Sequence, residues 1–319
     1  MTTMKTLNAA MILLWAALTY SGVANAQAEP VTFLTTYQAV GSSSRTASII
    51  TPKLEEYLQR PIELEFGAGA RAALDVPGDG NTIFISTVGN MALLPAALPS
   101  FDLDPLTDLR PVTLLTATPD VLIVHSGLGI NTLNELVAYA HEHPGELSYS
   151  HIAPRSIHRV EFSALLSELG IDATLDESLR GSAPAMEAVA NGSVDLVITT
   201  SPYVAPLVDS GAAVALVVAH SSRIPLLPGV PTMLERGITS VPHGSWAGLF
   251  VPAGTSDQDL AEVFAAVEFA MADPSVIAQI NDLGMEISLS DSPQAYADYL
   301  EAEGVRLRNA VEKYQIDLE

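Results

Sequence analysis

Short runs of β-branched and aliphatic residues alternate along this chain with longer stretches of helical period. Val31-Thr32-Phe33-Leu34-Thr35 reads as a strand, followed by a Gly/Ser turn and a helix through Ser48 to Leu58. Pro61 to Phe66 alternates apolar with charged positions, which suits a half-exposed strand, whereas Thr82 to Ser86 is continuously β-rich and suits a central one. Val121 to Val124, Val194 to Ile198 and Ala213 to Ala219 are further strands. Helical patterns lie between them: Asn131 to His141, with Asn131 or Thr132 as N-cap, and Ser156 to Leu169. Asp257 to Tyr314 is almost wholly helical, broken near Pro274 and around Gly284 to Ser292. Strand–helix alternation predicts mainly parallel sheets covered by helices on both faces. There is no internal repeat and no low-complexity linker. Two lobes would therefore be joined by ordered strands, with crossings expected near Val121 to Ser126 and near Gly244 to Pro252.

The first residues change the compartment. Lys5 precedes a short apolar core, Met11 to Leu18, and Ala24-Asn25-Ala26 supplies the small-x-small pattern of a cleavage site. Residues 1–26 are expected to be a signal peptide cut after Ala26, because the core is too short to span a bilayer. No later apolar stretch is long enough either, so a soluble exported chain is expected. There is no cysteine, hence no disulfide framework, thiolate metal site or lipid-anchoring cysteine. The formal charge of −23 becomes −24 once Lys5 is removed. Such acidity argues against nucleic acid and anionic membranes as partners, while a local cluster of donors still admits an anionic ligand. With 48% hydrophobic residues, a mature chain of about 290 residues is large enough to split into two lobes.

Several phrases recur in a specific order. They are Leu147-Ser148-Tyr149-Ser150, Arg180-Gly181-Ser182-Ala183-Pro184-Ala185 and Gly192-Ser193-Val194-Asp195-Leu196, then Leu227-Pro228-Gly229-Val230-Pro231-Thr232-Met233 and Ser245 to Thr255. In this order and spacing they resemble the substrate-binding receptors of tripartite tricarboxylate transporters, the Bug family, over essentially the whole mature chain. The resemblance implies an α/β, two-lobed periplasmic-binding-protein (Venus flytrap) fold. Lobe 1 would take residues 27–124 and 245–319, and lobe 2 residues 125–244. It also implies a periplasmic, monomeric, non-catalytic receptor without cofactor, which delivers a small carboxylate to one large and one small transmembrane subunit. In relatives, ligand carboxylates are held by backbone amides, hydroxyls and waters in loops at strand ends. Elementary physics points the same way, since helix N-termini beyond the strand ends of doubly wound sheets offer unpaired N–H groups.

Four loops carry the expected site. The first runs Tyr37-Gln38-Ala39-Val40-Gly41-Ser42-Ser43-Ser44-Arg45. Tyr37 falls on the family's aromatic and Ser44 where an aspartate is common; Gly41 is expected to line the site, and Ser42 to Ser44 either bind an anion or cap the helix. The second, Ser86-Thr87-Val88-Gly89-Asn90-Met91, matches the family's Thr-x-Gly element, with Thr87 and the Gly89 amide as leading donors. The third departs most, reading His151-Ile152-Ala153-Pro154-Arg155-Ser156-Ile157-His158-Arg159. Arg155 offers a bidentate fork to a second carboxylate, unless the arginines pair with surface acids such as Glu161. The fourth joins Arg180, Gly181 and Ser182 with Thr199, where Ser182 is a ligand donor or a helix cap and Thr199 replaces a frequent aspartate. Loss of acids at Ser44 and Thr199 favours a dianionic ligand over an amino acid. Such a ligand, an aromatic one included, would lie with Tyr37 against its apolar face and Arg155 or Arg180 near its second carboxylate.

Competing chemistries are poorly served. His243-Gly244-Ser245-Trp246-Ala247-Gly248 has the wrong spacing for a nucleophile elbow, which weakens a secreted hydrolase. His141 and His143 end a polar helix, and His151 with His158 lacks a supporting carboxylate cluster. Gly67-Ala68-Gly69-Ala70-Arg71 lacks the third glycine of a dinucleotide loop. A receptor coupled to a sensor, or one without a transporter, keeps the same fold and the same cleft.

Overall fold

The computed structural model describes residues 29–150, 153–179, 181–239 and 244–318. The expected signal peptide lies outside them, as do His151 and Arg180.

Two sheets form, each with helices on both faces. The first has the order β11-β4-β10-β3-β1-β2. Its strands are β1 (Val31–Thr35), β2 (Ile62–Glu65), β3 (Thr82–Thr87), β4 (Leu109–Thr118), β10 (Ser245–Pro252) and β11 (Glu286–Ile287). The second has the order β7-β6-β8-β5-β9, from β5 (Asp120–His125), β6 (Leu147–Ser150), β7 (Ala173–Leu175), β8 (Leu196–Thr200) and β9 (Ala213–Ala219).

Period-two alternation distributes the strand residues between faces. In the first sheet Val31, Phe33, Ile83, Ile85, Leu249 and Val251 face one cluster. That cluster is completed by α1 (Ser42–Leu58), α7 (Asp257–Met271) and α8 (Pro274–Asp282). Leu34, Phe84, Trp246 and Phe250 face the other, under the short α2 (Leu94–Ala97) and the long α9 (Pro293–Lys313). The second sheet divides likewise. Leu122, Val124, Leu196 and Ile198 pack on α3 (Leu133–Glu142) and α4 (Ile157–Leu169). Val121, Ile123 and Val197 pack on α5 (Ser182–Asn191), with α6 (Ser201–Asp209) on the same side.

Both sheets are mixed rather than mainly parallel. β1 runs parallel to β2 and β3, and β6 to β7 and β8. Two antiparallel strands directly follow a change of sheet, β10 against β3 and β4 and β5 against β8 and β9, and the two-residue β11 runs antiparallel to β4 at the edge of the first sheet. A strand that arrives from the other lobe enters its sheet from the opposite end, which reverses its direction. β5 belongs to the second sheet, so the chain changes sheet at Pro119, just before the Val121 to Ser126 stretch near which the pattern expects a crossing and ahead of residue 124, where the resemblance ends the first part of lobe 1. The return precedes β10 at Gly244. The two crossings touch: Gly244 has φ +91°, and a Cβ there would stand 2.7 Å from the Thr118 carbonyl oxygen and 3.1 Å from the Asp120 nitrogen.

Strand directions locate the cleft. β4 is parallel to β3, because β10 is antiparallel to both, so Thr118 lies at the edge where β1 and β3 end. Asp120 pairs with Thr200 and with Ala219, so β5 begins where β8 and β9 end. At Pro119 the C-terminal edges of both sheets therefore face one another, which is where open α/β sheets bind ligands.

Candidate ligand-binding cleft

Helix starts at the cleft edge are uncapped except that of α4, which follows β6 to the same edge. Thr132, Ser156, Ser256, Asp273 and Ser292 each accept a backbone amide at the starts of α3, α4, α7, α8 and α9. Three helices of eight residues or more, α1, α5 and α6, have no side-chain cap and no acid in the first turn. All three follow strands whose C-terminal ends lie on the shared edge. α6 is the least open, since the Ser201 amide bonds Pro119 and Pro202 brings no N–H. Among the described residues, no partner stands on the first amides of α1 and α5, and such amides together with the positive end of the helix dipole favour anions.

The first loop resolves into separate duties. Gly41 is the N-cap of α1, so the helix starts six residues earlier than the Ser48 expected from sequence, and none of its serines caps it. Ser44 is fully buried, its hydroxyl 2.8 Å from the Tyr37 carbonyl, to which it donates, and 3.1 Å from Thr35 Oγ1. It is thus a brace for the loop rather than a ligand donor. Ser43 is 1% exposed and its hydroxyl has no partner among the described residues. Ser42 and Arg45 are exposed on the same first turn.

The second loop stands beside it. β3 ends at Thr87, and a single π turn, Gly89–Leu93, follows directly, a distortion that recurs at functional sites. Val88 is buried, and no atom stands within 4 Å of where a Gly89 Cβ would be. Asn90 Nδ2 donates to the Tyr37 hydroxyl at 2.9 Å, with Thr87 Oγ1 at 3.4 Å. This holds the Tyr37 ring, 43% exposed, upright at the lip.

The second lobe keeps fewer of its expected donors free. Ser156 caps α4, accepting from the Arg159 amide and donating to the Ala153 carbonyl. Arg155 is exposed, and its Nε donates to the Leu318 carbonyl of the C-terminal tail at 2.9 Å. His158 is turned inward onto Asp120 at 3.1 Å and is no ligand of the cleft surface. Arg159 donates to the Pro154 carbonyl at 3.4 Å, and Glu161 is fully buried, not a surface acid. Gly181, with φ +96°, is the N-cap of α5, so Ser182 is its first residue rather than its cap. Thr199 is fully buried at the end of β8, with its hydroxyl unpartnered among the described residues.

Sequence reasoning missed Asp120 and the inward turn of Glu161. The available signal was the position of Glu161 between Val160 and Phe162 in an apolar stretch, on the helical face that also carries His158. Among the described residues no group of His, Asp and Glu is arranged to hold a metal ion.

Residues 66–316 match the family described as the tripartite tricarboxylate transporter family receptor, TctC. Protein BugT of Bordetella pertussis is 26% identical over 258 residues, 78% of each chain. MatC from Rhodopseudomonas palustris, solved with bound malate, is 28% identical with a TM-score of 0.75, covering 88% of this chain and 99% of that one. A second R. palustris protein, solved with adipate, is 27% identical with a TM-score of 0.78, covering 91% and 98%. The family is one of receptors. The chain belongs to the tripartite tricarboxylate transporter receptor family.

Proposed function

We propose that this protein is an exported receptor that captures a small dicarboxylate between its lobes and passes it, from the periplasm, to the membrane subunits of a transporter. The observation that carries the reading is the N-terminus of α1. A 17-residue helix opens there with no side-chain cap and no first-turn acid, and a buried hydroxyl, that of Ser43, is left without a partner. A buried hydroxyl without a partner costs about 1–3 kcal/mol, and a carboxylate oxygen at the helix end satisfies hydroxyl and amides together. The uncapped α5 and the unpartnered Thr199 hydroxyl offer the same pair of features on the opposite lobe. Two separated anion seats facing each other fit one molecule with a carboxylate at each end. The relatives solved with malate and adipate both hold dicarboxylates. The upright ring of Tyr37 gives the linking carbons an apolar wall, and a longer or aromatic spacer fits the same arrangement.

Thermal denaturation against malate, adipate, a phthalate and their monocarboxylate counterparts tests the reading. A bound dicarboxylate at a hundredfold its dissociation constant adds about 2.7 kcal/mol of stability, seen as a raised midpoint that the monocarboxylates do not reproduce. If no carboxylate moves the midpoint, the cleft is not an anion site.

A further inference from the structure

Where the second lobe meets the crossings, three ionisable side chains are buried together. Asp120, the first residue of β5, and Glu161 on α4 are 0% exposed, and His158, one turn before Glu161, is 6% exposed. His158 Nε2 stands 3.1 Å from Asp120 Oδ1, and the Gly244 amide donates to Glu161 Oε1 at 3.1 Å. One oxygen of each carboxyl is thereby satisfied. The other two, Asp120 Oδ2 and Glu161 Oε2, have no partner among the described residues, although the two side chains are within hydrogen-bonding reach of each other.

Two ionised carboxylates in contact and out of water repel strongly, while one proton between them satisfies both orphan oxygens. Burial first, and then the Asp120 charge, push the Glu161 carboxyl well above its ordinary range; the Gly244 amide and the Arg306 charge pull it back only in part. Arg306 comes from α9 and is itself engaged by Glu303, 2.8 Å from its Nε, with Tyr299 beside it. The groups that face the pair are therefore His158 from its own helix, the Gly244 amide from the crossing, and the Arg306–Glu303 pair with Tyr299 from α9.

We propose that Glu161 keeps its proton at neutral pH and donates it to Asp120, and that this proton latches the two crossings to the second lobe. Its loss sets two negative charges beside the Gly244 amide, at the point where the Gly244 backbone lies against Thr118 and Asp120, and slackens the joint on which the lobes turn. Solute capture is then proton-linked and weakens as the pair ionises. That last step rests on the cleft reading above; the proton site does not.

Denaturant unfolding of wild type and Glu161→Gln across about pH 5 to 8 reads the site directly. Folded Glu161 keeps a proton that the unfolded chain releases above its ordinary value of 4.5. Stability from this group is thus full below that value and is lost as pH rises toward the raised folded one. The wild-type folding constant should fall relative to that of the variant by up to roughly tenfold per pH unit, the slope of one linked proton. Asp120→Asn, which removes the neighbouring charge but leaves Glu161 just as buried, should flatten the profile only in part. In the infrared at neutral pH the wild type should show a deuterium-sensitive carboxylic-acid carbonyl band that Glu161→Gln loses. Parallel stability profiles for wild type and Glu161→Gln, or a neutral spectrum without that band, overturn the retained proton. Neither readout uses a ligand, so failure of malate or adipate to bind would count against the cleft and leave the latch standing.

Discussion

Ser43 and Ser44 are neighbours on one helical turn with opposite duties, and substitution should separate them. Ser44→Ala removes a buried hydroxyl from between Thr35 Oγ1 and the Tyr37 carbonyl, a carbonyl that keeps the Thr35 hydroxyl and the Gly67 amide as donors. It should cost about 1–2 kcal/mol of stability in denaturant titration, with a weaker effect on ligand. Ser43→Ala removes a hydroxyl that has no partner to lose, so the ligand-free protein should be as stable as wild type or slightly more so. Calorimetry with malate or adipate should nevertheless show about tenfold weaker binding, the worth of one charge-assisted hydrogen bond. Equal loss of affinity in both variants would mean that neither hydroxyl meets the ligand. The sequence announced a hydroxyl-rich turn before a helix but not this division of labour. A step of one residue rotates a side chain by about 100°, and the exact start of α1 decides which serine turns inward. The same problem hid Glu161, whose charge suggested solvent while its place on the His158–Phe162 face put it in the core.

At the scale of elements, helix ends trade stability against capture. Thr132→Ala at the start of α3 removes a cap bond from Glu135 and should cost about 1 kcal/mol without touching affinity. Ser182→Asp at the start of α5 should do the reverse. A carboxylate at the positive end of the helix stabilises it by about 0.3–1 kcal/mol, raising the ligand-free midpoint, while occupying the place of the ligand's own carboxylate. Loss of dicarboxylate binding with a raised or unchanged midpoint is the expected result; unchanged binding would remove α5 from the site. Element positions were largely legible. β1 and β9 fall on the residues their composition indicated, and α3 begins after Thr132, one of the two caps that the pattern allowed. Strand direction was not legible. Apolar runs such as Val121 to Val124 say that a strand is buried on both faces but not which way its neighbours run. The change of sheet at Pro119, and the reversal of β5 and β10, therefore emerged only with the pairing register.

At the scale of the molecule, the lobes are joined by more than the two crossings. α9 rests on the first sheet yet contacts α4 of the second lobe, and Tyr314 just after it packs against the cores of both. The tail then lies across the joint: Ile316 and Leu318 are buried in one cluster with Ile157 and Val160 of α4, and the Leu318 carbonyl holds Arg155. This strap gives the tail a part in closure, because α4 cannot turn away from the first lobe without dragging buried apolar side chains into water. Ile316→Ala with Leu318→Ala should cost roughly 2 kcal/mol per side chain, the low end for buried aliphatics because a chain end can settle. Arg155→Ala, losing one hydrogen bond from an exposed side chain, should cost under about 1 kcal/mol. Scattering distinguishes a strap from mere packing. If the tail restrains the lobes, the double variant without ligand should have a larger radius of gyration than wild type, and malate or adipate should contract it further than it contracts the wild type. If both proteins scatter alike while only the midpoint falls, the tail is part of the core and the swing of the lobes is set at Pro119 and Gly244 alone.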